Sequence, residues 1–230
     1  MKEFLCESTF FGVAVSLGAY EVGMLVRKKW NFSLFNPLLI SIVIVMIILS
    51  LLNIDYDTYY AGAKYLSYFL TPATVCLAIP LYEQLSALKS NWKAITAGIL
   101  SGVLTSLLCI LAFAAIFKFN HEVYVSLLPK SITTAIGMGI SQELGGIVPI
   151  TVASICITGI LGNVIAELVF KLFRIREPVA KGVAIGTASH ALGTVKAIEL
   201  GEVEGAMSGL SIAVAGLLTV VGASVFANFL

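Results

Sequence analysis

Three stretches of this chain set proline, glycine, hydroxyl and ionisable side chains inside otherwise apolar sequence. The first is Thr71-Pro72-Ala73-Thr74, closing with Pro80-Leu81-Tyr82. The second is Pro129-Lys130-Ser131-Ile132-Thr133-Thr134. The third is Gly186-Thr187-Ala188-Ser189-His190-Ala191-Leu192-Gly193-Thr194. Pro72, Pro80, Pro129, Gly186 and Gly193 are the residues expected to break helices there. A proline inside a helix removes one backbone hydrogen bond and crowds the preceding turn. Each break creates a new helix N-terminus, whose free N–H groups and positive dipole end suit an anion. Hydroxyls of Thr74, Ser131, Thr133, Thr134, Thr187 and Ser189 add donors. Such a set fits a carboxylate better than a metal or a bare cation.

Lys130 is the most informative charge. A lysine at membrane depth costs at least about 3 kcal/mol unless paired or hydrated. It reads either as the counter-charge for an anionic substrate or as a side chain snorkelling to the outer interface. His190 can change charge near neutral pH, which makes it a candidate proton carrier. The alternative is a neutral histidine satisfied by Ser189 or by backbone. His121 is the only other histidine, so no His-based metal site is expected. Asp55 and Asp57 share a loop, Glu143 and Glu167 sit near segment ends, where they face water or headgroups, and Glu202 and Glu204 mark the last connection. Gly-x-Ser-x-Gly, H-E-x-x-H and a Walker loop are absent from the sequence, so neither an enzyme nor a cofactor is implied.

The elements that must position these residues are membrane helices. Of 230 residues, 59% are hydrophobic and 12% charged, with mean hydropathy +1.00. A soluble domain carries about 25% charged residues, so lipid is the solvent for most of this surface. A net charge of +1 gives no signature for nucleic acid. Clear spans are Phe4–Val26, Phe35–Asn53, Lys64–Tyr82, Ala94–Phe117, Ile147–Phe170 and Glu204–Phe229, and Glu122–Gly146 and Lys181–Leu200 are less apolar. The expectation is a single all-α polytopic domain over residues 1–230, with about six to eight transmembrane helices. Phe4–Val26 ends in Arg27-Lys28-Lys29 and reads as a retained helix rather than a cleaved signal. Cys6, Cys76, Cys109 and Cys156 read as small packed hydrophobes. Gly98 with Gly102, and Gly205 with Gly209 and Ala213, make small-residue faces for close helix packing or self-association.

Nine of the 14 Lys and Arg fall in three connections: Arg27 to Lys29, Lys89 with Lys93, and Lys171 to Lys181. The positive-inside rule puts all three in the cytoplasm. That holds only if Glu122–Gly146 enters the membrane and returns, so this segment is expected to be re-entrant or interrupted. A repeat is expected over about residues 64–117 and 121–170. Leu70-Thr71-Pro72 and Leu127-Leu128-Pro129 stand 57 residues apart, and Ala97-Gly98-Ile99-Leu100 matches Thr158-Gly159-Ile160-Leu161. The charge rule makes the second helices of the two units run in opposite directions, as in inverted-repeat transporters.

These segments together resemble the LrgB/CidB family. The resemblance is carried by Leu70–Tyr82, Leu128–Thr134, Arg174-Ile175-Arg176-Glu177-Pro178-Val179-Ala180, and above all Gly186–Thr194 followed by Glu199-Leu200-Gly201-Glu202. It covers nearly the whole chain. It implies residence in a bacterial-type cell (inner) membrane and partnership with an LrgA-type small membrane subunit or a second copy. It also implies two functional descriptions. One is transport of a small monocarboxylate such as pyruvate, lactate or glycolate; plastid members carry glycolate and glycerate. The other is antiholin-like control of murein hydrolase activity and lysis. The chain departs from the family pattern at Ala135, where a proline is usual, and at Gly137-Met138-Gly139, Glu83, Asn163 and Glu167.

Overall fold

The protein is described by a computed structural model covering residues 10–30, 37–69, 72, 76, 82 and 85–230. Thr74 and Pro80, and most of the expected Lys64–Tyr82 span, lie outside the described residues, and Pro72 is exposed. Among the described residues every regular element is helical. The chain packs as two compact units, residues 1–76 and 77–230.

In the first unit, α1 (Phe11–Trp30), α2 (Pro37–Leu52) and α3 (Tyr56–Ser67) pack through small residues. Gly12 lies against the backbone of Tyr59 and Ala63, and Gly23 against that of Pro37. The Ser16 hydroxyl donates to Gly12 O at 2.6 Å and meets the Tyr59 hydroxyl at 2.7 Å. Asp55 caps α3, accepting from Thr58 N–H at 2.9 Å and Thr58 Oγ1 at 2.7 Å. These bonds hold its carboxyl below the ordinary aspartate range.

The second unit contains α4 (Leu85–Phe117), α5 (His121–Leu127), α6 (Thr134–Glu143), α7 (Val148–Leu172), α8 (Pro178–Leu200) and α9 (Glu202–Phe226), with a 3₁₀ turn at Ala227–Phe229. Among the described residues three helices are long and apolar enough to span a bilayer: Lys89–Phe117 within α4, α7, and Glu202–Phe229. Their outer faces carry exposed apolar side chains such as Leu168 (66% exposed) and Leu217 (71%), as lipid contact requires.

The stretch between α4 and α7 enters and returns. Asn120 caps α5 by accepting from Val123 N–H at 3.1 Å. The helix stops at Leu128 because Pro129 cannot continue its bonding, and Ile132 N–H closes a turn on Pro129 O at 3.3 Å. From there α6 runs back, placing Gly137 beside Pro129 and Ser141 beside Ser126 and Gly146. Buried hydroxyls pin this hairpin to the start of α7. Thr151 Oγ1 donates to Ser126 O at 2.9 Å and to Ser141 Oγ at 2.7 Å, and Ile147 N–H donates to Ser126 Oγ at 2.6 Å. The interruption expected at Glu122–Gly146 is therefore present as a re-entrant hairpin, even with Ala135 in place of proline.

A second hairpin lies within α8. Every residue of α8 is helical except His190, at φ 43° and ψ −143°. Partners on α7 give the direction of the chain beyond it. His190 Nε2 meets Ile155 O at 3.0 Å, Asn163 Nδ2 donates to Leu192 O at 3.0 Å, and Lys196 pairs with Glu167 at 2.5 Å. As the chain advances its partner on α7 advances too, so this limb runs parallel to α7. The preceding limb follows α7 through a short connection and runs antiparallel to it. Leu200 accordingly returns to pack with Phe170 and Ile175. The reversal falls on His190, not on Gly186 or Gly193. Those glycines instead permit contact: Gly186 abuts Ser208 O and Ser211, and Gly193 abuts Ser189 and Ile185.

A helix followed by a re-entrant hairpin thus occurs twice with opposite polarity. Ser126 and Tyr124 lie near the C-terminal end of α9, where Tyr124 Oη donates to Phe226 O at 2.8 Å. Lys181 and Gly182 lie at its N-terminal end, beside Glu204. The expected repeat of 64–117 and 121–170 falls partly on residues outside those described. In a cysteine-free background, Glu122→Cys and Glu143→Cys should react with an impermeant maleimide from one side. Glu177→Cys and Glu202→Cys should react only from the other. Labelling of either pair from opposite sides would refute the double hairpin.

Candidate functional site

The two hairpin tips reach one cavity of about 820 Å³. Lys130 and Ser131 come from the first tip, and Thr187, Ala188 and Ser189 from the second. One face of α4 supplies Gly98, Ser101, Gly102, Thr105, Ser106 and Cys109, and α7 supplies Thr158, Leu161, Gly162 and Ile165. The lining continues to Asn91, Ala94 and Glu177, at the end of the unit that bears the basic connections.

Close approach of these elements depends on missing side chains. A Cβ on Gly98 would meet Val183, and one on Gly102 would collide with Thr187. Gly162 likewise faces Ser189, and Gly159 faces His190 and Leu192. The Gly98/Gly102 pair therefore serves packing, and what it packs is the limb that carries Thr187. Small residues at such crossings are the usual means of bringing membrane helices together.

Lys130 is half-buried, and its Nζ donates to Ser131 Oγ at 3.0 Å. Ser131 Oγ lies 3.2 Å from Ser106 Oγ. No carboxylate among the described residues lies within salt-bridge distance of Lys130. Thr187 is 5% exposed, and its hydroxyl has no hydrogen-bond partner. A buried hydroxyl without a partner costs about 1–3 kcal/mol, so its presence on a cavity wall marks a place where a guest would complete the bonding. A small anion bearing acceptor oxygens matches both groups.

Thr133 and Thr134 do not line this cavity. Thr133 is the N-cap of α6 with no side-chain cap bond, and Thr134 opens the helix. His190 is also absent from the lining. It is 2% exposed, and its ring is engaged with Ile155 O. Its carbonyl accepts from Thr194 Oγ1 at 3.0 Å, and that hydroxyl lies 2.7 Å from Ser208 Oγ. The histidine therefore holds the turn from behind the cavity. Ser101, Thr105, Ser106 and Cys109 escaped the reading of the sequence. Their near four-residue spacing along one face of a long helix is the signal that would have found them. Asn163, atypical in sequence, ties α7 to the returning limb through Leu192 O. Glu167 is bound by Lys196 at 2.5 Å and approached by Lys171 at 3.9 Å, whereas Glu143 and Glu202 are exposed.

No group of three or more His, Cys, Asp or Glu among the described residues could hold a metal ion. The conformation at His190 is one that glycine adopts freely and other residues adopt at a cost of about 1–3 kcal/mol. His190→Ala keeps that cost and loses the ring's bond. His190→Gly loses the bond but relieves the backbone. Chemical unfolding in detergent should therefore find His190→Gly about 1 kcal/mol more stable than His190→Ala. Equal stability, or a more stable alanine variant, would show that His190 bears no such strain.

The model of the LrgB-like family matches residues 16–229. The antiholin-like protein LrgB of Bacillus cereus (strain B4264) is 39% identical over 222 residues, covering 96% of each chain. The protein of the same name from Bacillus anthracis (strain A0248) has the same identity and coverage. No solved structure matches the chain. A family match over nearly all of the sequence, with relatives similar along almost their full length, establishes that the chain belongs to the LrgB-like family.

Proposed function

We propose that this protein carries small monocarboxylates of the pyruvate, lactate or glycolate class across the membrane, acting with an LrgA-type subunit. The observation that carries the proposal is the meeting of two oppositely directed hairpin tips at one cavity. There Lys130, which has no carboxylate partner among the described residues, and the unpartnered Thr187 hydroxyl line the same cavity. Lys130 supplies the counter-charge, and Ser131, Thr187 and Ser189 supply hydrogen bonds. A single cation at the tips suits one carboxylate. A volume of about 820 Å³ lies within the range of small-molecule sites and leaves room for hydration. Two helix-plus-hairpin units of opposite polarity are the arrangement from which alternating access is built in secondary transporters. The cavity's extension to Asn91 and Glu177 fits a pathway leading to the basic, cytoplasmic side.

The antiholin-like name of the relatives supports a second reading, regulation without a transported substrate. A regulator of that kind would tolerate loss of the tip charge.

Uptake of labelled pyruvate and glycolate into proteoliposomes, with and without an LrgA-type partner, separates the two. Lys130→Gln should cut saturable uptake about tenfold or more, since a hydrogen bond to a charged group contributes roughly 1.5–3 kcal/mol. Thr187→Val removes the unpartnered hydroxyl with almost no change in shape. It should lower uptake severalfold while leaving the fold as stable as wild type or up to about 1 kcal/mol more stable. Absence of uptake by folded wild-type protein with its partner, or unaltered uptake by both variants, would favour the regulatory reading.

A further inference from the structure

The connection between α7 and the second hairpin forms a separate pocket of about 360 Å³. Lys171, Arg174, Arg176 and Lys181 line it, and Glu167 is the one acid on its wall. That acid is already engaged by Lys196 at 2.5 Å. Lys181 approaches Glu204 only at 4.0 Å, and neither Arg174 nor Arg176 has a carboxylate within that distance among the described residues. The pocket therefore carries positive charge beyond what its own surroundings neutralise.

Its geometry is fixed by the backbone. Phe173 N–H bonds to Val169 O at 2.9 Å and Ile175 N–H to Phe170 O at 2.9 Å, closing the end of α7. Arg174 occupies the left-handed position of that turn, at φ 55°. Glycine is the usual occupant of such a position, so an arginine there keeps a guanidinium where backbone preference would not. Ile175 packs inward beside Phe170, Ala166 and Leu200, which anchors the loop between the two arginines. The pocket also lies at the end of a membrane-spanning helix. Leu172 and Phe173, next to it, are 72% and 69% exposed. Cations at headgroup height beside exposed apolar side chains match an amphiphile with an anionic head and acyl tails, and basic pockets of this kind between membrane helices bind lipid headgroups.

We propose that this pocket binds the phosphate diester of an anionic phospholipid in the leaflet on the basic side of the protein. Arg174 and Arg176 contact the phosphate oxygens, the geometry in which guanidinium groups are most selective. Lys171 and Lys181 add charge from α7 and from the first limb of the hairpin. Leu200 lines the same pocket, so the lipid spans the open ends of both limbs and holds them together. This site is independent of the carboxylate reading of the central cavity.

The test is thermal unfolding of the purified full chain in phosphatidylcholine–detergent micelles, titrated with phosphatidylglycerol. The wild type should gain several degrees in melting temperature, saturably. The variant Arg174→Gly/Arg176→Gln should lose most of that gain. Glycine suits the left-handed turn, so this variant keeps the fold while removing both guanidinium groups. Lys28→Gln/Lys29→Gln, which alters a different basic cluster, should keep the gain. The proposal is overturned if phosphatidylglycerol does not stabilise the wild type, or if the arginine variant responds as wild type does. It is also overturned if the Lys28/Lys29 variant loses the gain equally, which would indicate diffuse charge. Full stabilisation by soluble glycerol 3-phosphate at matched concentration would show a small-anion site instead of a lipid site, and would equally overturn it.

Discussion

A backbone that stops being helical in the middle of a bilayer has no water to receive its free N–H and C=O groups. Among the described residues the chain breaks twice between its apolar spans, at Pro129–Thr133 and at His190. The surrounding structure is arranged to absorb both breaks. Ser126, Ser141 and Thr151 form a buried hydroxyl network that fastens the first hairpin to α7. Thr194 and Ser208 close over the carbonyl of His190, while Ile155 receives its ring. Glycines at 98, 102, 159 and 162 let the spans approach closely enough to cover the tips. From the two tips, Lys130, Ser131, Thr187 and Ser189 bring polar groups to the wall of one largely apolar cavity.

Charge is distributed on the same logic. Burial favours pairing, and Lys196 obeys, meeting both Glu167 and Glu199. Lys130 has no carboxylate partner among the described residues, and it stands at the tip of a hairpin beside two serines. A cation kept without a carboxylate at depth is costly unless an anion visits it. On the transport reading, that visitor is the substrate.

The sequence made much of this architecture legible because lipid simplifies the code. Apolar length marks α4, α7 and α9, although α4 begins well before the apolar run does. Pro129 together with the placement of basic residues points to the first hairpin. The second was read correctly as an interrupted segment, but its turning point was not. Gly186 and Gly193 are the obvious breakers by local preference, yet both sit in regular helix because their service is to tertiary contact. His190 turns the chain through bonds to Ile155 and Thr194, which lie far away in sequence or depend on the fold itself. Lys130, Ser131, Thr187 and Ser189, expected from their polar groups beside helix breakers, line the cavity, whereas the α4 face that also lines it carries no such local signal. Ser101, Thr105, Ser106 and Cys109 look like ordinary small packing residues until the cavity shows what they face. Thr133 and Thr134 carry the right chemistry but stand at the start of α6, away from the lining.

Cys109 offers the most direct test of the central claim, that the two tips and α4 enclose one wet anion site. It is an exposed native thiol on the cavity wall, on the same helix as Ser106. With the other cysteines replaced, its alkylation by a small water-soluble reagent can be timed with and without pyruvate, lactate or glycolate. The hairpin-tip site predicts saturable protection by at least one of these acids, weakened in Thr187→Val and absent in Lys130→Gln. Alkylation that proceeds at one rate with every acid present, in wild-type and variant proteins alike, would contradict it.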